Sequence, residues 1–236
     1  MLIVAAGQGT RLREKGAVKP LIRIKGTALI ERVIRTARRA GVERFYVVSG
    51  YRGKDLRDAL DEFAGHEGVV IQHIVNDDWE RANGMSVYKA REYLHGPFLL
   101  AMCDHLVDPD IIRALLREEV LPGTVTLCVD SNVDSPLHDP IDVTRVNSRA
   151  GRIVNIGKVL KDYNAIDTGI FLCTPVIFDA LEASFAAGDD SISGAMRVLA
   201  AQGRARTFDV TGRLWVDVDD PAAFAHAERL IEEGRL

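Results

Sequence analysis

Cysteine is scarce in this 236-residue chain. Cys103, Cys128 and Cys173 stand far apart, none in a CxxC pair and each among apolar neighbours. A disulfide scaffold is therefore excluded, and three buried thiols in a reducing compartment are predicted. Long apolar runs are missing as well. No segment reaches the ~18 residues needed to cross a bilayer, and the longest candidate, Ile170 to Phe178, is broken by Thr174 and Pro175. The opening stretch Met1–Gly7 lacks a basic region and is too short for a signal peptide. An excess of positive charge is absent too. The net charge of −4 and pI near 5.9 argue against a general nucleic-acid binder. What remains, 47% hydrophobic and 27% charged, is the balance of an ordinary soluble, cytoplasmic globular protein without a membrane span. Its length suits one domain spanning 1–236.

Short apolar runs alternate with helical patterns through the first half. Strands are predicted at Leu2–Ala6, Phe45–Val48, Val69–Val75 and Phe98–Met102. Helices are predicted at Thr27–Ala40, around Leu56, Leu60 and Phe63, at Ser86–Leu94, and at Pro109–Glu119 with Asp108 as its cap. This alternation implies an α/β fold with a doubly wound sheet, mixed but mostly parallel. The second half reads differently. Val125–Val129 is a strand, Val143–Asn147 and Arg152–Ile156 form a hairpin, and Gly169–Cys173 is a further strand. Helices follow at Val176–Phe185 and Ile192–Ala201, then strand Leu214–Val218 and helix Pro221–Glu233. The stretch from about 129 to 165 is expected to be an exposed β extension on the edge of the core.

Six basic residues crowd between Arg11 and Lys25, opposed only by Glu14. They follow a glycine-containing turn after the first strand. Ligands of open α/β sheets bind outside the carboxyl ends of the strands, so this loop is placed to meet a polyanion. Acidic residues gather elsewhere. Asp104 ends the apolar run Phe98–Met102, and Asp217, Asp219 and Asp220 follow another. Period-2 alternation puts Asp217 and Asp219 on one face, where they repel unless a cation lies between them. A hard ion such as Mg²⁺ accepts one or two carboxylates plus phosphate oxygens. Asp220-Pro221 also has the form of a helix start.

The turn itself is Ala5-Ala6-Gly7-Gln8-Gly9-Thr10-Arg11. It is neither a P-loop nor GxGxxG, because GxxxxGK[ST] is absent and Leu12 stands where the third glycine belongs. After seven intervening residues comes Lys19-Pro20. The combined pattern resembles the nucleotidyltransferase (NTP transferase) family, whose fold is Rossmann-like. The resemblance continues along the chain through Asn83-Gly84-Met85-Ser86, Cys103-Asp104, Lys158 with Asp167-Thr168-Gly169, and Trp215 to Pro221. Many members carry glycine where this chain has Cys103; only the carboxylate of the next residue is needed. Gly157-Lys158 and Tyr163–Phe171 are most similar to the cytidylyltransferases of small phosphorylated alcohols. Such domains can be fused to a membrane-embedded CDP-alcohol phosphotransferase.

The resemblance implies transfer of a cytidylyl group from CTP to a phosphorylated polyol such as inositol 1-phosphate, with Mg²⁺ as cofactor and pyrophosphate as the second product. It implies Lys19, Arg11 and Asp104 as catalytic residues. Ala5, Ala6, Gly7, Gln8, Gly9, Thr10, Arg11, Lys19, Asn83, Gly84 and Ser86 would bind the nucleotide. Lys158, Asp139, Asp142, Asp167, Thr168 and Gly169 would bind the acceptor, on the side of the β extension. Asp104 and Asp219 would hold the metal, with Asp217 sharing it. His105 reads as a loop residue. A homodimer stays open. Alternatives are a sugar-1-phosphate uridylyl- or guanylyltransferase, and a phosphocholine cytidylyltransferase, for which 6% aromatics offer little to cage an ammonium. From other classes, a glycosyltransferase would use Asp108-Pro-Asp110 or Asp217-Val-Asp219 as DxD, and a regulatory subunit would bind nucleotide without turnover.

Overall fold

The protein is represented by a computed structural model that describes residues 1–135 and 142–236. In chain order, β1 (Leu2–Ala5) leads through short 3-10 turns at Thr10–Leu12 and Lys19–Leu21 to β2 (Arg23–Ile24) and β3 (Thr27–Ala28). Then come α1 (Leu29–Arg39), β4 (Arg44–Ser49), α2 (Gly53–Glu67), β5 (Val70–Val75) and α3 (Asn83–Tyr88). These precede β6 (Phe98–Met102), β7 (His105–Val107), α4 (Pro109–Arg117), β8 (Val125–Asp130), β9 (Arg145–Arg149) and β10 (Arg152–Gly157). The last elements are β11 (Ala165–Cys173), α5 (Val176–Ala186), α6 (Ile192–Ala201), β12 (Ala205–Asp209), β13 (Trp215–Asp217) and α7 (Pro221–Glu232). Among the described residues, no helix is long and apolar enough to cross a membrane.

The chain divides into two compact units. The first comprises 1–80, 101–117 and 214–236. Its strands run in the order β5-β4-β1, with β1/β4 and β4/β5 parallel. β1 is buried at every residue, as a strand covered on both faces must be. α1 turns Leu29, Ile30, Val33, Ile34 and Ala37 inward, a 3.6-residue stripe that leaves Arg38 and Arg39 exposed. Two small pairings join this frame. β2 and β3 form a tight hairpin through Lys25 and Gly26, both at positive φ. β7 pairs antiparallel with β13.

The second unit comprises 81–100 and 118–213. Its row is β11-β8-β12-β10-β9, and β9 also pairs with β11, so the two ends of the row meet. Only β8/β12 is parallel here; β11/β8, β10/β12 and β9/β10 are antiparallel. The β9–β10 hairpin turns through Ala150 and Gly151, both in the left-handed region. Cys128 and Cys173 are buried strand thiols, as expected, and Cys103 is a buried thiol in the turn after β6.

Several boundaries move. The first helix begins at Leu29, because Thr27–Ala28 is taken by the β2/β3 hairpin. The helix expected at Ser86–Leu94 begins at Asn83 and ends at Tyr88. The strand expected at Gly169–Cys173 begins at Ala165. β7 and β12 had no counterpart in the sequence reading; both are short and take their strand form from a partner.

Candidate functional site

Lys19 is the centre of a cluster built wholly within the first unit. It opens the 3-10 turn Lys19–Leu21, where Pro20 supplies the fixed φ of an N-terminal position. Only 6% of its side chain is exposed. Its Nζ donates to Asp104 Oδ2 and to Asp219 Oδ1, and Arg11 donates to Asp219 Oδ2. Burial alone would lower the Lys19 pKa, but the carboxylates of Asp104, Asp219 and Asp217 outweigh it and hold the ammonium well above the usual lysine value. Gly9 is part of the same construction. Its φ is +62°, and a Cβ there would come within 2.7 Å of Lys19 Cδ. The second glycine of the turn is thus required to seat the lysine. Gly7, by contrast, faces open space.

The distant carboxylates converge through backbone pairing. The amide of Cys103 donates to the Val4 carbonyl at 3.1 Å, which sets Asp104 at the carboxyl edge beside β1. The β7/β13 register places Asp217 opposite His105, and the Val218 amide donates to the Asp104 carbonyl at 3.0 Å. His105 is therefore a strand residue rather than a loop residue, stacked on Trp215 with ring planes 18° apart. Its Nε2 lies 3.7 Å from Asp104 Oδ1 and 3.5 Å from Asp217 Oδ1. Asp220 serves as the cap of α7, accepting from the amides of Ala222 and Ala223 at 2.7 and 2.9 Å.

Asp104, His105 and Asp217 each offer a ligand atom, all within 4.8 Å of one another, a group able to hold a divalent metal ion. The fit is supported by two orphaned atoms: Asp104 Oδ1 and Asp217 Oδ1 are buried without a hydrogen-bond partner among the described residues. Burial, then repulsion from Asp104 and Asp219, raises the Asp217 carboxyl to about 7 despite His105 and Lys19. Asp104 goes the other way: burial would raise it, but Lys19 and His105 hold it below the usual value. Asp219 was expected ahead of Asp217 as the second metal ligand. Here its two oxygens are engaged by Lys19 and Arg11, and Asp217 stands with Asp104 in the ligand group.

A family model described as a MobA-like NTP transferase domain matches residues 1–205. The chain belongs to the MobA-like NTP transferase family. A relative from Rubrobacter xylanophilus named bifunctional IPC transferase and DIPP synthase is 37% identical over 235 residues, covering 97% of this chain and 51% of its own length. A relative of the same name from Thermococcus kodakarensis is 32% identical over 233 residues, covering 98% of this chain and 50% of its own. The chain thus spans about half the length of these curated relatives. The solved inositol-1-phosphate CTP transferase from T. maritima superposes with a TM-score of 0.86 at 28% identity, covering 98% of this chain and 94% of that one. Its fold is this fold.

Other residues singled out for this NTP transferase fall in the second unit. Asn83 Oδ1 accepts from the Ile192 amide at 3.0 Å at the start of α6. Gly84 leaves no room for a side chain: a Cβ would lie 2.8 Å from Leu181 Cδ2. Ser86 is buried. Lys158 Nζ donates to Asp142 Oδ1, which brings two of the expected acceptor residues together. Asp167, Thr168 and Gly169 form an irregularity in β11. Gly169 has φ +73°, its amide donates to Asp167 Oδ1 at 2.7 Å, and the β8 register shifts between Asp167 and Phe171. Thr168 is wholly buried, and its hydroxyl donates to the Cys128 carbonyl at 2.9 Å, so it shapes the strand from inside rather than facing solvent. Asp139 lies outside the described residues. His105 is the residue that sequence reasoning missed; its adjacency to Asp104 was visible, its strand pairing to Asp217 was not.

Proposed function

We propose that residues 1–236 work as one nucleotidyltransferase domain. It transfers the cytidylyl group of CTP to a phosphorylated polyol, with inositol 1-phosphate as acceptor, Mg²⁺ as the divalent ion and pyrophosphate as leaving group. The observation that supports this most directly is the packing of Lys19 against Asp104 and Asp219, two carboxylates from remote segments. The acceptor and nucleotide are suggested by the names of the IPC transferase relatives and of the T. maritima structure. The relatives' names include a second activity, DIPP synthase, which is not assigned to this chain.

In this reading an acceptor phosphate oxygen bonds to the α-phosphorus of CTP while the bond to the bridging oxygen of the β-phosphate breaks. Pyrophosphate leaves with that electron pair. A phosphate monoester has its second pKa near about 6 and is largely dianionic at pH 7, so no general base is needed. The obstacle is repulsion between polyanions, each charge pair worth roughly 4 kcal/mol at 4 Å and an effective dielectric near 20. Mg²⁺ held by Asp104 with Asp217 or Asp219 would supply charge neutralisation at the α-phosphate when bound. Lys19 would turn from its carboxylates to bridge the α-phosphate and the incoming oxygen, stabilising charge that develops in transfer. Arg11 and the Gly7–Thr10 backbone would hold the outer phosphates. Ala5, Ala6, Asn83, Gly84 and Ser86 would meet the nucleoside. Lys158 would take the acceptor's phosphate, and Asp139, Asp142 and Asp167 its hydroxyls, with Gly169 and the buried Thr168 shaping that segment.

The test is pyrophosphate release from each of the four nucleoside triphosphates against inositol 1-phosphate, glucose 1-phosphate and phosphocholine. CTP with inositol 1-phosphate should be turned over fastest, and chelation should abolish turnover. A preference for UTP or GTP with glucose 1-phosphate would overturn the assignment.

A further inference from the structure

Away from Lys19, the first unit holds a cleft of about 190 Å³ lined by residues of α1, β7 and α7. Arg32, Arg35 and Arg39 line it, spaced so that one helix face presents all three. Its floor is apolar, with Leu106 and Val107 of β7 and Ile231 of α7, and among the described residues no aspartate or glutamate lines it. The three guanidinium groups differ in how they are compensated. Arg35 is paired with Glu67 at 2.9 Å and lies 3.7 Å from Glu31. Arg39 has no ion pair among the described residues. Arg32 donates one NH2 bond to the Ile24 carbonyl at 2.6 Å, yet its Nε is buried with no hydrogen-bond partner. Burial, then the charges of Arg35 and Arg39, disfavours the Arg32 cation, with Glu31 opposing them. An under-compensated, partly buried guanidinium is costly, and a bound anion relieves the cost. Guanidinium forks match phosphate oxygens in pairs.

We propose that this cleft binds a phosphate monoester carried on an apolar group, its phosphate met by Arg32 and Arg39 and its apolar part laid on Leu106, Val107 and Ile231. This is a second site, separate in residues from the Lys19 cluster. It is joined to that cluster through β7, whose first residue is His105 and whose next two form the cleft floor.

The experiment titrates the full chain with phenyl phosphate and, in a second arm, with phosphatidylcholine vesicles containing phosphatidic acid. Wild type, Arg39→Glu and Arg32→Gln are compared, with CTP binding measured in parallel. Arg39 sits on the exposed rim, so its variant keeps the test sound if Arg32→Gln fails to fold. Phenyl phosphate should bind more tightly than inorganic phosphate and weaken as salt is raised. Arg39→Glu should weaken it at least about tenfold, the scale of one charge-assisted hydrogen bond, with CTP affinity unchanged. Vesicle binding that Arg39→Glu abolishes, without binding of the soluble ester, would assign the phosphate to a lipid headgroup. The proposal is overturned if neither probe binds, or if Arg39→Glu leaves both unchanged.

Discussion

Replacing Lys19 with Met tests the centre of the structure. The Lys19 side chain is 6% exposed and its ammonium is shared by Asp104 and Asp219, whose side chains are 16% and 27% exposed, so solvent screens little of the interaction. Removing one partner of a buried ionic group while leaving the others costs roughly 3–5 kcal/mol. Typical stabilities are about 5–15 kcal/mol, so the variant should stay folded but with a urea midpoint lower by ~1–5 M at slopes of ~1–3 kcal/mol/M. The deficit should shrink in Mg²⁺. A divalent ion present at 100 times its dissociation constant for the variant returns ~2.7 kcal/mol to it, more than to the wild type, where Lys19 competes with the ion for the same carboxylates. Pyrophosphate release should not recover with it. Loss of a preorganised cation at the transferring phosphate is expected to lower turnover by at least about 10²-fold even when the metal site is saturated. The pair of assays is therefore urea unfolding with and without Mg²⁺, and pyrophosphate release at saturating Mg²⁺. A folded Lys19→Met protein with an unchanged midpoint and near-normal pyrophosphate release would refute the reasoning.

Gly9→Ala should be damaging although no side chain there touches a ligand, because the new methyl collides with Lys19 and adopts a positive φ; a fall in turnover exceeding the fall in urea midpoint would mark a displaced lysine, and full activity would contradict it. Asp217→Asn removes the charge behind one of the two orphaned oxygens and the carboxyl raised to about 7. Titration with Mn²⁺ followed by electron paramagnetic resonance should show metal affinity reduced about tenfold or more, and unchanged affinity would move the ligand role to Asp219. In the second unit, Asp190 is held below the usual carboxylate range by the two hydrogen bonds from Arg81, both at 2.7 Å. Asp189 is lowered too: burial opposes this, but Ser191 and Arg197 outweigh it. Depressed carboxyls contribute stability above their unfolded pKa of about 4, and that contribution is lost as pH falls through the lower folded values. Unfolding midpoints should therefore drop below about pH 4, with a shallower drop in Asp190→Asn; identical profiles would exclude this pair as a source.

Local pattern was enough to place most elements. The inward stripe of α1, the fully apolar β1 and the Asp220-Pro221 start of α7 carry their own periodicity or capping chemistry, which acts over a few residues and is written in order along the chain. The motif Gly9…Lys19-Pro20 and the two remote carboxylates were legible as residue types suited to a magnesium-bound triphosphate. Their meeting was not. Asp104 and Asp219 reach one ammonium because Cys103 pairs with Val4 and because β7 pairs with β13, and β7 is too short to announce itself without its partner. The same pairing turned His105 from a loop neighbour into a facing group and set Asp217 beside Asp104 and His105 in a group that could hold a metal ion. It also gave Gly9 its reason, since only in three dimensions does the lysine side chain occupy the space where a Cβ would stand. Periodicity and capping are short-range properties of the chain, whereas charge convergence and excluded volume depend on residues up to 208 positions apart, and only folding decides which of them share a surface.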